Sequence, residues 1–304
     1  MSSNRAIVSA EQRDPQVLGE MAFRQFCTPR LSSYRSPDHD VLTERARFHL
    51  RHAAPVRVAT SEGDIQAYVF SPEAQAATGA SVLLVHGWTG EASFMTAFAE
   101  HFRKRGLRAV LFDLPAHGRS AGELTSLIAC AHVVREVAEA LGPIEHVVGH
   151  SLGGMAALLA GGGGAPMPWA YPFRAYVLVA VPNRFSEVTR KFGEELALSP
   201  AAQRAYEERL EAIAHRRIED FTGAKLLAAT GRPALIVHAR DDADVTYADA
   251  EEIVGACSEA ELLACDGLGH RKILYAPPIV RAAAAYLLGR SADARSLARL
   301  AEAS

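Results

Sequence analysis

Short apolar runs alternate with amphipathic stretches along most of this chain. Partial alternation of apolar and polar residues over positions 56–60 and 65–70 predicts an outer pair of strands, whereas the almost wholly apolar run 81–85 predicts a buried strand. Further strand patterns follow at residues 109–112, 146–148, 176–180, 234–238 and 261–264. Helical periodicity lies between several of them, at residues 94–105, 127–141 and 152–160. This order of elements predicts an α/β protein with a doubly wound, mostly parallel sheet.

Residues 184–230 interrupt this alternation, because they contain no strand pattern. Ser199 and Pro200 are typical of a helix start, and the apolar residues that follow fall on one helical face: Tyr206, Leu210 and Ile213. We therefore expect a helical cap over this segment. A peripheral helix pair that only extends the core is the alternative.

The rest of the chain divides into a core and two terminal segments. The predicted core comprises residues 56–183 and 231–290. Residues 1–55 are expected to form an N-terminal appendage with a helix that begins at Pro37. Residues 291–304 are expected to form a C-terminal helical tail.

Composition and charge exclude several classes of function. The 304 residues carry a net charge of −3 and no basic tract, so the chain lacks the electrostatic footprint of a nucleic-acid-binding protein. Charged residues interrupt the apolar residues of positions 1–25, so a signal peptide's apolar region is not expected there, and no stretch approaches the 18 uninterrupted apolar residues of a stable membrane anchor. We therefore expect a cytoplasmic protein. The cysteines lack zinc-ligand spacing and are interpreted as free thiols: Cys27, Cys130, Cys257 and Cys265. The pattern leaves the oligomeric state open.

The segment 147–154, Val-Val-Gly-His-Ser-Leu-Gly-Gly, joins an expected buried strand to an expected helix through Gly-x-Ser-x-Gly. In this context Ser151 is expected on a sharp turn with strained backbone angles, and Gly149 and Gly153 make room for the neighbouring strand and helix. The turn also places Ser151 at a helix N-terminus, where the Leu152 N–H can face a developing negative charge. Ser151 is therefore the candidate nucleophile.

A second part of the expected site follows the strand 81–85, where the chain continues as His86-Gly87-Trp88. Acyl transfer needs a second N–H donor from this loop, and Gly87 allows the loop to approach the nucleophile. We therefore expect an oxyanion hole formed by the backbone N–H groups of Trp88 and Leu152. A plain strand-to-loop turn is the alternative.

The candidate base and acid lie downstream. His270 stands in a glycine-flanked loop after the strand 261–264, and we expect it to be the general base. A base of this kind needs a carboxylate that holds its tautomer and orientation. Three acids after the strand 234–238 compete for that role: Asp241, Asp242 and Asp244.

These pieces together resemble the α/β-hydrolase superfamily, in particular its serine esterases and lipases, over roughly residues 56–289. The matching motifs are His86-Gly87-Trp88, Asp113-Leu114-Pro115-Ala116-His117-Gly118-Arg119-Ser120, Gly149-His150-Ser151-Leu152-Gly153-Gly154, Asp241-Asp242-Ala243-Asp244-Val245 and Gly267-Leu268-Gly269-His270. The chain order Ser, Asp, His is the order of this family. Ala116 replaces one glycine of the family's pattern.

The resemblance implies an α/β-hydrolase-like sheet and a catalytic triad of Ser151, Asp242 and His270. It places the acid at Asp242, ahead of Asp244 and Asp241, although Val245-Thr246 stands where the family has Val-Pro. The family's other acid position is Asn183 here, which is no carboxylate. A serine nucleophile disfavours haloalkane dehalogenase and epoxide hydrolase activity, and the implied chemistry needs no metal or organic cofactor.

Four side chains are expected to contact the substrate, and packing in the core, or within the cap for the last of them, is the alternative: Trp88, Phe94, Met155 and Phe185. Phe192 and Tyr206 of the cap are further candidates. Other residues near the motifs are expected to have structural roles: His86 and His117 shape loops, His150 points away from the nucleophile, His238 packs in the core, and Arg271 is an exposed charge.

We therefore expect a serine hydrolase that cleaves a small-molecule carboxylic ester through an acyl-enzyme on Ser151, with a thioester or an amide as the lesser alternative. Acyl transfer, C–C bond hydrolysis or perhydrolysis could use the same site. A ligand-binding or regulatory protein with slow turnover is a further alternative.

Overall fold

The computed structural model describes residues 14–29, 44 and 46–302, with side chains to residue 291. Its strands are β1 (Ala54–Thr60), β2 (Gly63–Phe70), β3 (Ser81–Val85), β4 (Arg108–Phe112), β5 (His146–His150), β6 (Ala175–Val179), β7 (Ala234–Ala239) and β8 (Ala260–Cys265). They form one sheet in the order β1-β2-β4-β3-β5-β6-β7-β8. β2 pairs antiparallel with β1 and β4, and the pairs from β4 to β8 are parallel. The predicted mostly parallel sheet is confirmed.

Helices cover both faces of the sheet. They are α1 (Pro15–Phe26), α2 (Thr96–Lys104), α3 (Leu127–Ala140), α4 (Leu152–Gly162), α5 (Phe185–Glu195), α6 (Pro200–Ala214), α7 (Gly223–Thr230), α8 (Tyr247–Ala256), α9 (Gly269–Lys272) and α10 (Pro277–Glu302). Two apolar clusters lie on opposite faces, because alternate residues of the buried strands point to opposite sides: Leu83 and Val147 belong to one cluster, and Leu84 and Val148 to the other. A sheet that is covered on both faces needs apolar residues in both registers, and this explains the continuous apolar runs.

The parallel strands bring distant parts of the chain to one edge of the sheet. Ser151 directly follows β5, Asp242 follows β7, and His270 follows β8 by a short loop. The loop after β3 begins at the same edge, since β3 is the parallel neighbour of β5. Open α/β sheets place ligand sites at the carboxyl ends of their strands, so this edge is where a site is expected.

Residues 184–230 contain three α-helices, α5 to α7, a short 3-10 helix at Ile218–Asp220, and an isolated bridge between Arg184 and Thr222. Helix α6 begins as predicted, with the Ser199 side chain accepting the N–H of Ala202 at 3.3 Å. Tyr206 and Leu210 are buried, but the expected third member of that face, Ile213, is 37% exposed. The buried stripe of α6 continues through Ala214.

Helix α1 was not predicted from the sequence. It begins at a capped turn, in which the Asp14 carboxylate accepts the N–H of Gln16 at 2.9 Å and Pro15 occupies the first turn. Its buried face consists of Gly19, Ala22, Phe23 and Phe26, which are spaced three or four residues apart. The helix expected to begin at Pro37 falls outside the described residues.

The C-terminal helix α10 is one continuous element that includes part of the expected tail. Ser291 is buried, and its hydroxyl lies 2.6 Å from Nε2 of His146. This contact joins α10 to the start of β5. No helix within the described residues combines the length and the apolar character needed to cross a lipid bilayer.

Candidate active site

Ser151 occupies a strained turn between β5 and α4. Its backbone angles are φ 50° and ψ −128°, a conformation that residues other than glycine rarely adopt. A Cβ atom at Gly153 would lie 2.1 Å from the carbonyl oxygen of His86, and one at Gly149 would lie 2.4 Å from Cα of Gly154. Only glycine fits at these two positions. The close packing that they allow holds the Ser151 side chain at the edge of the sheet.

This packing gives a first testable expectation. Replacing Gly153 by alanine should lower the free energy of unfolding by about 1–3 kcal/mol or more, because the added methyl group meets backbone that cannot move aside. Gly255 in α8 is a matched control, since nothing lies within 4 Å of its Cβ position, and Gly255→Ala should leave stability unchanged or raise it slightly. Urea denaturation followed by circular dichroism measures both variants. Equal stability of the two would contradict the proposed packing.

The loop after β3 approaches Ser151 closely. A Cβ atom at Gly87 would lie 3.0 Å from Cβ of Ser151 and 2.7 Å from Nδ1 of His150, so glycine is required there too. Trp88 and Leu152 line the same cavity as Ser151. Within the described residues, neither backbone N–H of these two has an acceptor. Two unpaired donors beside a nucleophile are what an oxyanion hole needs.

Two buried histidines hold this loop against the loop after β4. The Nε2 atom of His86 accepts the N–H of Leu114 at 2.9 Å, and its Nδ1–H donates to the carbonyl of Gly87 at 2.8 Å. His117 accepts the N–H of Thr89 at 3.2 Å in the same manner. Burial lowers the pKa of His86 to about 4, so the ring is neutral and can accept. These contacts agree with the predicted loop-shaping role of both histidines.

Among the three acids, Asp242 is the one in contact with His270. The Nδ1–H of His270 donates to Oδ2 of Asp242 at 2.8 Å. Asp241 instead accepts the N–H of Gly267 at 2.9 Å. Asp244 contributes its backbone N–H, which donates to Oδ1 of Asp242 at 2.9 Å. The pair of Asp242 and His270 has the arrangement in which a carboxylate orients an imidazole.

The Asp242 carboxylate has further partners. Its Oδ1 accepts the N–H of Val245 at 2.9 Å, and Nε2 of His238 lies 3.5 Å from its Oδ2. Burial by itself would raise the pKa of Asp242, but contacts with His238, His270 and Val245 outweigh burial and hold this pKa well below its usual range. Asp242 is therefore ionised at neutral pH. His238 is fully buried, as expected for a core residue.

His150 differs from its expected position. We predicted that its side chain points away from the nucleophile, but it lines the cavity beside Ser151, and its ring centroid is 4.7 Å from that of His270. Burial, reinforced by the neighbouring His270, holds the pKa of His150 well below its usual value. The neutral ring donates from Nε2 to the carbonyl of His270 at 2.9 Å. His150 therefore fixes the backbone of His270.

Ser151 and His270 line one cavity of about 130 Å³ at the predicted edge. Its apolar walls are Phe26, Trp88, Leu152, Pro182, Val188, Phe192 and Val245. Charged residues also line it: Arg184, Glu187, Lys191, Asp244, Asp249 and Arg271. Arg271, expected as a surface charge, thus belongs to the cavity. In the part of the chain that the structure describes, no three His, Cys, Asp or Glu side chains are grouped so as to hold a metal ion.

Some expected cavity walls lie elsewhere. Met155 and Phe185 are not among the described residues that line this cavity: Met155 is fully buried in the core, and the Phe185 ring packs against Phe221 and Phe26. Phe94 lines a second, smaller cavity, which shares Trp88 with the first. For Phe94 and Met155, sequence proximity to the motifs was a poor guide, because the direction of each side chain from its helix decides where it points.

Sequence reasoning missed Gln25 and Phe26, which line the cavity from α1. The signals were present: Asp14-Pro15 is a helix start, and Gly19, Ala22 and Phe26 share one face. Charged residues between them masked the periodicity. Of the two further candidates from the cap, Phe192 lines the cavity, whereas Tyr206 is fully buried and is not among the described lining residues.

Comparison with known proteins gives one family and a common fold. The alpha/beta hydrolase family matches residues 82–285. Est1E from Butyrivibrio proteoclasticus, solved with ferulic acid bound, has a TM-score of 0.63 at 20% identity, over 78% of this chain and 99% of that one. Proline iminopeptidase from Mycobacterium smegmatis has 0.61 at 16% identity, over 79% and 100%. An esterase of Pyrococcus furiosus has 0.58 at 16% identity, over 80% and 92%.

Proposed function

The chain belongs to the alpha/beta hydrolase family, and we propose that it is a serine hydrolase that cleaves a carboxylic ester through an acyl-enzyme on Ser151. One observation carries the proposal: one cavity is lined by a strained serine, a histidine held by a buried carboxylate, and two residues whose backbone N–H groups have no acceptor among the described residues. These are the parts that acyl transfer requires.

The proposed reaction proceeds in two halves. Ser151 Oγ attacks the acyl carbon while His270 takes the hydroxyl proton, and the oxyanion faces the N–H groups of Trp88 and Leu152. The ester C–O bond then breaks, and His270 gives its proton to the departing alcohol. Water attacks the acyl-enzyme, His270 takes a proton from it, and the carboxylic acid leaves as Ser151 regains its proton. Asp242 stabilises the imidazolium in both halves.

A carboxylic ester is the proposed substrate class because an esterase is among the proteins of similar structure. A proline iminopeptidase is also similar, so amide substrates belong in the same assay. We also propose that residues 184–230 form a cap over the core. Four residues of α5 line the same cavity as Ser151, namely Glu187, Val188, Lys191 and Phe192, and Lys191 donates from Nζ to the carbonyl of Asp244 at 3.0 Å.

Labelling with a fluorophosphonate, followed by peptide mapping, tests this proposal. We expect one label per chain, on the peptide that contains Ser151, and no label on heat-denatured protein, because only the assembled site activates the hydroxyl. The exposed Ser258 provides a control, since Ser258→Ala should be labelled like wild type. A folded protein that takes no label, or that is labelled at another residue, would overturn the assignment of Ser151.

A further inference from the structure

Phe26, the last residue of α1, forms part of the cavity wall although it is far from Ser151 in sequence. Its ring is only 7% exposed and stacks on Trp88, with centroids 5.8 Å apart and planes at 20°. It also packs edge-on against Phe192 and Tyr206, at 5.1 and 5.6 Å. Phe26 thus contacts both the loop after β3, through Trp88, and the helices α5 and α6 of the proposed cap.

Helix α1 is held firmly in this place. Gly19 lies so close to α6 that a Cβ atom there would be 2.6 Å from Cβ of Ala205. Glu20 accepts a hydrogen bond from Arg209 of α6 at 2.8 Å. At the other end, the carbonyl of Cys27 accepts the N–H of Thr125 at 2.8 Å, which ties α1 to the loop before α3. The Phe26 ring therefore has a fixed position. A side chain that limits the size of a pocket needs such a position.

The size and lining of the cavity indicate what fits it. An apolar cavity of about 150 Å³ binds benzene in a well-studied protein, and the cavity beside Ser151 is about 130 Å³. Phe26, Val188 and Phe192 offer it apolar walls, beside the charged residues of both signs that also line it. An uncharged acyl group with the bulk of a benzoyl or a six-carbon chain matches this space.

We propose that Phe26 determines acyl-chain specificity: its ring closes the acyl pocket and limits the preferred substrates to esters of short or single-ring acyl groups. The inference rests on the proposed function and deepens it. It assigns a substrate-contacting role to the N-terminal helix, which lies outside residues 82–285, the part of the chain that matches the family. Removing the ring should open the pocket toward α1 and admit longer chains.

The test is the specificity constant kcat/KM for p-nitrophenyl esters from acetate to dodecanoate, measured on wild type and Phe26→Ala. We expect wild type to prefer chains of up to about six carbons, given the cavity's size. In Phe26→Ala the ratio of kcat/KM for decanoate to that for butyrate should rise at least about tenfold, since one methylene in an apolar pocket is worth roughly 10-fold or more. The larger ring of Phe26→Trp should shift preference toward acetate.

Phe23→Ala is the matched control, because Phe23 is a buried aromatic residue of the same helix that is absent from the described cavity lining. It should keep the wild-type chain-length preference, whatever it costs in thermal stability. An unchanged ratio in Phe26→Ala and Phe26→Trp, or an equal shift in Phe23→Ala, would overturn the role of Phe26. If Phe26→Ala does not fold, Phe26→Leu and Phe26→Trp decide the question.

The two proposals fail in different ways. Wild-type turnover of esters with a label on Ser151, but with no change in chain-length preference among the Phe26 variants, overturns the role of Phe26 alone. Absence of both label and turnover in folded wild-type protein overturns the proposed function first. A simple structural role of Phe26 would lower kcat/KM by the same factor for every ester and leave the ratio unchanged.

Discussion

Replacing Ser151 by alanine is expected to lower kcat for ester hydrolysis by roughly 10⁴-fold or more, the size of loss seen when a triad nucleophile is removed. Without Oγ no acyl-enzyme forms, and only the oxyanion donors and substrate binding remain. A loss of 10⁴ corresponds to about 5.5 kcal/mol of transition-state stabilisation. Fold should be retained, because the N–H of residue 151 still donates to the carbonyl of Val179, at 2.9 Å in the wild type.

Steady-state kinetics on the best p-nitrophenyl ester, combined with intact mass after a rapid quench, measures this effect. Wild type should accumulate an acyl adduct, and Ser151→Ala should not. The exposed Ser258→Ala variant should have wild-type kcat, which separates the loss at Ser151 from any general effect of removing a hydroxyl. Turnover by Ser151→Ala at near wild-type rate would show that another group or a bound water performs the attack.

The edge of the sheet that holds this serine could be predicted because its signals are local. Apolar runs mark the buried strands, and the glycines around Ser151 mark a turn where Cβ atoms would collide. The chain order of Ser151, Asp242 and His270 follows from the order of the parallel strands β5, β7 and β8, since each residue stands after the carboxyl end of its strand. The buried strands and the turn at Ser151 could be predicted because each is determined by residues that are adjacent in the sequence.

The choice among three neighbouring acids could not be made from the residues alone. Asp241, Asp242 and Asp244 differ by one or two positions, and which carboxylate turns toward His270 depends on the path of the loop. In the structure, the N–H groups of Asp244 and Val245 both point at Oδ1 of Asp242, so the loop wraps around this carboxylate. The family pattern had ranked Asp242 first for a different reason.

The walls of the cavity were predicted least well, because they are formed by contacts between segments far apart in the chain. Phe26 contacts Tyr206, which lies far from it in the sequence, and the periodicity of α1 does not identify this partner. Met155 lies close to the nucleophile in sequence but faces the core. The orientation of His150 was predicted wrongly for the same reason, since its hydrogen-bond acceptor is the carbonyl of His270, which is far away in the sequence.

Replacing Asp242 by asparagine should also be severe, and the structure gives a specific reason. Oδ1 of Asp242 accepts two backbone N–H groups, from Asp244 and Val245. The oxygen of an asparagine must stay in that place, because an NH₂ group would face two donors. The NH₂ group then takes the place of Oδ2 and points at Nδ1 of His270.

A donor at that position reverses the hydrogen bond to His270. Its Nδ1 must become the acceptor, so the proton moves to Nε2, the atom that is needed to take the proton of Ser151. The base is then in the wrong tautomer, and a loss of about 10⁴-fold in kcat is expected, as found for the equivalent change in a well-studied serine protease. Stopped-flow kinetics at neutral pH, where Asp242 is ionised, measures this loss.

Asp266 supplies the control for this substitution. Its carboxylate is exposed and pairs with Arg240 at 3.1 Å at the surface, so Asp266→Asn removes a charge near the same loop without touching the triad. It should retain wild-type kcat within about twofold, because exposed ion pairs contribute little. A full loss in Asp244→Asn together with a small one in Asp242→Asn would move the acid to Asp244. A loss in Asp242→Asn alone leaves a single carboxylate able to hold His270 in the tautomer that accepts the proton of Ser151.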